Sequence, residues 1–219
     1  MKRQILGLTA LVVALTLTGC IFPFSVQKED MGKAPGADEL FKEAEARFNE
    51  KSYDKAIELY ERLKSAHRDF DKIAEVYLRI ADALYEKGEN DKAVARYHQF
   101  MELFPAHKEI PRAKYNVAMS YFKQFRNVDL DNRIITGAAE AFKAIRDNPD
   151  AGEWAKKAGE KYDECQKRLA EKELNKAKTY VSMGRYASAK TAAKRVLDEY
   201  GKLGFDKQAE DLLKSLKGK

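Results

Sequence analysis

The chain has 219 residues, enough for one domain with a substantial core. Its residues are 44% hydrophobic and 35% charged, a balance that argues against disorder and for helices whose exposed faces carry alternating charges. The net charge of +6 is mild, and acids are mixed closely with bases, so no nucleic-acid stripe is present.

Residues 1–19 read as a leader. Met1 to Gln4 is a short basic stretch, and Ile5 to Leu17 is an apolar run too short to anchor stably across a bilayer. The run ends in Leu17-Thr18-Gly19-Cys20, which resembles a bacterial lipobox. In such a site the cysteine thiol is diacylated, the chain is cut before it, and the new amine is acylated. Lipidation is therefore expected at Cys20, and several acyl chains give lasting attachment to a membrane. Loss of Lys2 and Arg3 would lower the net charge from +6 to +4. Ile21, in place of an aspartate, favours the outer membrane under the sorting rule of enteric lipoproteins. Residues 20–36, with Pro23, Gly32, Pro35 and Gly36, read as a tether.

From residue 37 onward the period is helical. In 37–70, Leu40, Ala44 and Phe48 mark one helix; Ala56, Tyr60 and Leu63 mark a second after the turn Lys51-Ser52-Tyr53. In 72–105, Tyr77, Ile80, Ala81 and Leu84 make one apolar stripe, and Ala93, Tyr97, Phe100, Met101 and Phe104 another. Gly88 ends the first helix, Asn90 or Asp91 is placed to cap the second, and Pro105 stops it. Ala56 and Ala93 are equivalent positions 37 residues apart. The third unit, 110–149, places Ala118 and Tyr121 where Ala81 and Leu84 stood. Its turn is enlarged by about eight residues around Arg126 to Arg133 (RNVDLDNR), and Ala138, Phe142 and Ile145 continue beyond it. The fourth, 152–200, opens with either one long helix or two stacked end to end, from Gly152 to Met183. It then turns at Gly184-Arg185-Tyr186 into Ala189, Ala193, Val196 and Leu197. Residues 205–216 form a closing amphipathic helix. Repeated helix hairpins that cannot bury their apolar faces alone define an all-α, tetratricopeptide-type (TPR) solenoid of four to five units spanning 37–219.

No catalytic constellation stands out, and the chain is not expected to be an enzyme. His67, His98 and His107 are isolated, which argues against zinc and suits surface or groove positions. There is no nucleophile elbow, phosphate loop or dinucleotide fingerprint. Asp129, Asp131 and Asn132 lack the glycine and glutamate of a calcium loop. No metal or other cofactor is expected. Cys165 lies on the stripe Ala155, Ala158, Tyr162, Cys165, Leu169 and reads as a small core residue, a disulfide to another protein being the alternative.

In stacked TPR units the first helix of each pair lines the concave side. Counted from the core alanines, the groove positions are Phe41 and Phe48, Leu78 and Tyr85, Tyr115 and Phe122, with Arg79, Arg112, Asn116 and Lys123 beside them. Aromatic walls with basic edges suit an extended peptide with aromatic side chains and a free carboxylate. The alternative, that these aromatics pack on the next helix, stays open. The fourth unit places Leu174, Lys178 and Val181 there, a less aromatic set, so the two halves can serve different partners.

Several stretches together resemble the BamD (YfiO/ComL) family. They are the LTGC lipobox with its tether, Leu103 to Phe122 (LFPAHKEIPRAKYNVAMSYF), the loop VDLDNR before Ala138 to Phe142, and Arg168 to Tyr200. The last carries the family's helix pattern at Leu169, Ala170, Glu173, Ala177 and Tyr180, then a G-x-Y-x-A turn. The resemblance implies a lipoprotein on the periplasmic face of the outer membrane, within the β-barrel assembly machinery. It implies a C-terminal half that binds the last POTRA domain of BamA, alongside other Bam subunits. It also implies N-terminal units that receive the C-terminal signals of unfolded outer-membrane proteins, which end in an aromatic residue and its carboxylate. Three features depart from the family. Many members have Asn-Arg where Thr191-Ala192 stands, which moves the expected BamA contact to Arg185, Lys190, Lys194 and Arg195. The first unit lacks the aromatic-proline ending, and the fifth is a single helix. Another envelope TPR lipoprotein, a pilotin or a coordinator of peptidoglycan synthesis, is the alternative reading.

Overall fold

The computed structural model describes residues 35–124 and 132–219. The leader, Cys20, nearly all of the tether, and most of the loop between Arg126 and Arg133 lie outside the described residues. The described chain is helical. Its elements are α1 (Ala37–Asn49), α2 (Tyr53–Ala66), α3 (Ile73–Glu86), α4 (Asn90–Leu103), α5 (Ile110–Gln124), α6 (Asn132–Arg146), a 3-10 turn (Pro149–Ala151), α7 (Glu153–Ser182), α8 (Tyr186–Tyr200) and α9 (Asp206–Ser215). Each helix packs on the one before and the one after it. In addition α3 touches α5, α5 touches α7, and α7 touches α9, so these odd-numbered helices share one face, here the inner face. The architecture is four helix hairpins and a closing helix.

Small residues set the hairpin geometry. Ala44, Ala81, Ala118 and Ala177 on the first helices, and Ala56, Ala93, Ala138 and Ala189 on the second, are all completely buried. An alanine at the crossing lets two helix axes approach to about 8 Å, the short end of the usual range. Partner alanines are twelve residues apart in three hairpins and twenty in the third, where the turn is enlarged. Around them the large buried chains Tyr60, Tyr97, Phe100 and Phe142 fill the interior. Each such burial contributes about 1.5–3 kcal/mol.

Three of the turns repeat one device. The amide of Ser52 donates to the carbonyl of Arg47, that of Glu89 to Leu84, and that of Arg185 to Tyr180, each a bond from the third residue past the helix back to its last turn. This Schellman arrangement needs a left-handed residue. Gly88 (φ +79°) and Gly184 (φ +71°) supply it in two turns; in the first, Lys51 holds the same conformation at φ +60°. The Schellman bond also corrects one sequence expectation. Glu89, not Asn90 or Asp91, precedes the first residue of α4, and its side chain makes no capping bond. The backbone of the preceding turn already aims the chain into α4.

The 152–183 stretch is one continuous helix of 30 residues. The core changes character along the stack. A large cluster joins α1 to α5, and a second, with Phe142, Cys165 and Leu169, joins α5 to α7. The last hairpin and α9 rest on two small groups, Leu174 with Val196 and Ala209, and Ala177 with Ala192 and Ala193.

Candidate functional site

The inner face is built on a polar relay that repeats from one hairpin to the next. Glu45 follows the core alanine of α1, and Asp82 follows that of α3, 37 residues on. Tyr60 of α2 donates its hydroxyl hydrogen bond to Glu45, and Tyr97 of α4 donates to Asp82 at 2.7 Å. An arginine of the next first helix completes each set. Arg79 Nη2 reaches Glu45 at 2.8 Å, and Arg112 Nη1 lies 3.0 Å from both oxygens of Asp82. Arg112 Nε also donates to Glu109 at 2.7 Å, and Asn116 donates to the Tyr97 hydroxyl at 2.8 Å. Asp82 is buried, and burial together with the neighbouring Asp82 charge pushes the Tyr97 hydroxyl well above its usual range. For Arg112, burial pulls down, but Asp82 and Glu109 more than reverse this and raise its pKa.

Between α3 and α5 the relay borders a cavity of about 510 Å³. Lys72, Arg79, Lys108 and Arg112 line it with Asp71, Glu75 and Glu109, above a floor of Ala74 and Leu78. His107 stands at its edge, packed edge-on against Phe100 at 5.2 Å.

The other expected groove residues fall on the same face in different states. Phe41 is half-buried against Tyr60 and Phe70, with Lys72 Nζ 5.2 Å from its ring. Phe48 lies edge-on to Tyr53 at 5.5 Å and carries the Arg79 guanidinium at 5.0 Å. Tyr85 carries Lys123 Nζ at 3.5 Å. Tyr115 packs on Phe142 and on Trp154, 5.6 and 5.1 Å away. Leu78 and Phe122 are corrections: at 2% and 7% exposure both belong to the cores, and of the two Leu78 alone lines the cavity, as its floor. Packing on the following helices accounts for Tyr115 and Phe122.

Sequence reasoning missed a row on α7. Trp154 carries Lys157 at 4.0 Å, and Arg168 and Lys161 lie 4.4 and 5.2 Å from the Phe122 ring. Lys157 and Lys161 are one helical turn apart, a spacing that would have disclosed them. It also missed a cavity on the opposite side, between α4, α5 and α6. Where Glu61 and Arg96 form an ion pair at 2.9 Å between α2 and α4, the next pair of second helices has His98 and Ala141, and an apolar gap of about 510 Å³ opens beside Met101 and Ile145.

At the far end, Arg185 and Lys194 are exposed on α8 and at its start. Lys190 donates to the Lys219 carbonyl at 2.9 Å, and Arg195 pairs with buried Glu173 at 3.0 Å. Ala192 is buried and Thr191 bonds back to the Ala187 carbonyl at 3.1 Å, so position 192 presents nothing to a partner. Met183, at 61% exposure beside Arg185, was not foreseen.

Among the described residues no cluster of His, Cys, Asp and Glu could hold a metal, and no helix is long and apolar enough to cross a membrane. Stacked helix hairpins with a side-chain-rich inner face define a TPR-type fold. The fold is shared with the TPR2AB-domain:pHSP90-complex of yeast Sti1, at a TM-score of 0.53 and 18% identity, over 82% of this chain and 69% of that one. A family model described as YfiO, outer membrane lipoprotein, matches residues 33–215, and the chain belongs to that family. It is 25% identical over 212 residues to the outer membrane protein assembly factor BamD of Neisseria gonorrhoeae, covering 91% of this chain and 78% of the relative. The protein of the same name from Rickettsia prowazekii (strain Madrid E) is 25% identical over 195 residues, covering 88% and 77%. The resemblance read from the sequence is thereby confirmed.

Proposed function

We propose that the chain is an outer-membrane protein assembly factor of the BamD type, a scaffold with no catalysis of its own. Cys20 carries its lipid and holds it on the periplasmic face of the outer membrane. The inner face of α1, α3 and α5 receives the C-terminal segments of unfolded β-barrel proteins. The α7–α8 end, with Arg185, Lys190, Lys194 and Arg195, holds the POTRA domain of BamA, alongside other Bam subunits. The observation that carries this reading is the family match across residues 33–215, joined by relatives named as assembly factors over 91% of the chain. The exposed Met183 beside Arg185 supports the α8 end as a contact, since methionine and arginine are enriched at interfaces.

The test is a pulldown of the tagged, lipidated protein from its own envelope in mild detergent, followed by identification of what comes with it. BamA in near-equal amount is the expected result. Recovery of pilus or peptidoglycan-synthesis proteins in its place would overturn the function and leave fold and family standing. A charge change at Arg185 and Lys194 should then reduce BamA recovery several-fold while circular dichroism is unchanged.

A further inference from the structure

The inner-face arginines invite the view that they capture a peptide carboxylate by charge. Their bonding argues otherwise. Arg112 is held through Nη1 by Asp82 and through Nε by Glu109, and its Nη2 donates to no other described residue. Arg79 is held through Nη2 by Glu45 and lies 4.0 Å from Asp82 at Nη1. The four basic residues lining the cavity face three carboxylates in its wall and two more, Glu45 and Asp82, behind it. The cavity therefore carries no surplus of positive charge, although single bases appear throughout its wall. The compensation is built in: Asp82 is buried at 5% exposure, and a tyrosine from the second helix fixes it, as Tyr60 fixes Glu45. A guanidinium paired in this way keeps N–H donors in fixed directions but has spent its long-range attraction.

We propose that Asp82, with Glu45 one hairpin earlier, determines the specificity of this face. By holding Arg112 and Arg79 in compensated pairs, they make the cavity read the hydrogen-bonding outline of an extended peptide, not the charge of its terminus. This rests on the peptide-binding reading above and narrows it: the ligand is selected by carbonyl oxygens and side-chain shape, and a terminal carboxylate adds little. Binding is correspondingly insensitive to salt, because screening acts on uncompensated charge.

The test uses the full chain and two labelled peptides of about ten residues, the length of a barrel strand, that end in phenylalanine. One has a free carboxylate and the other a terminal amide; binding is read by fluorescence anisotropy at low and high salt. The expected result is that the two affinities lie within about threefold, where a tenfold change corresponds to about 1.4 kcal/mol. Asp82→Asn keeps the shape and removes the buried one of the two charges that compensate Arg112, leaving Glu109. It should favour the carboxylate peptide over the amide by about fivefold or more, with the gain lost at high salt. Glu45→Gln, on a less buried partner, should act in the same direction for Arg79 and serves if Asp82→Asn does not fold. A carboxylate preference above about tenfold in the unaltered protein, or no charge preference in folded variants, overturns this inference and leaves the peptide-binding reading intact. Failure of both peptides to bind overturns that reading, and this inference with it.

Discussion

Single side chains in this protein are fixed by what they meet two helices away. Tyr97 lies on an apolar stripe, and its burial follows from that stripe. Its hydroxyl does not: it needs Asp82 from α3 and Asn116 from α5, which no local pattern brings together. A usable signal was present, since acid and tyrosine recur together 37 residues apart as Glu45 and Tyr60, then Asp82 and Tyr97. Tyr97→Phe keeps the ring and removes both bonds. It should cost about 1–3 kcal/mol in urea unfolding, because a buried carboxylate loses a donor. Cys165 makes a second case. It is wholly buried, and burial, with Glu164 adding, pushes its thiol up from 9.0 to about 12. Its folded value lies above its unfolded one, so its contribution is intact below about pH 9 and is lost as pH rises toward 12. Thiol reagents at neutral pH should therefore label Cys165 only on unfolding, and alkaline melting should begin earlier than in Cys165→Ala relative to each protein's neutral melting temperature.

The helices themselves were legible because their signals are local. Gly88, Pro105 and Gly184 break the chain where helices end, and stripes such as Ile80, Ala81 and Leu84 are buried as their spacing requires. The continuity of α7 was not decidable, since a long apolar stripe fits one helix or two. The start of α4 was misread because the preceding turn, not a side-chain cap, sets it. The inner-face positions were legible as the side of a helix but not in depth: counting from an alanine gives the side, and only packing tells that Leu78 and Phe122 are covered. The first turn offers a direct experiment. Lys51 holds the left-handed conformation that glycine holds in its two counterparts. Lys51→Gly should stabilise the protein by about 0.5–1 kcal/mol, relief of backbone strain exceeding the added freedom of the unfolded chain. Thermal unfolding of the pair of proteins checks it; a lower melting temperature would show that the unfolded-chain entropy dominates.

Across the molecule, stability is distributed unevenly. The first three hairpins share large clusters of aromatic and branched side chains, whereas α8 and α9 close on alanines and a few aliphatics. In a stack where each unit leans on its neighbours, the thinner core opens first. Amide exchange should therefore be faster in α8 and α9 than in α3 and α4, and the BamA docking proposed for the α8 end should slow it. Equal protection in the free protein would contradict this. One element links the two regimes. At about 1.5 Å per residue α7 is about 45 Å long. Ala158, Cys165 and Leu169 seat its first half in one core, and Leu174 and Ala177 seat its second half in another. A rod gripped at two points behaves as a lever. A tilt imposed on α8 would therefore reach the far end of the same rod, where Trp154 packs 5.1 Å from Tyr115.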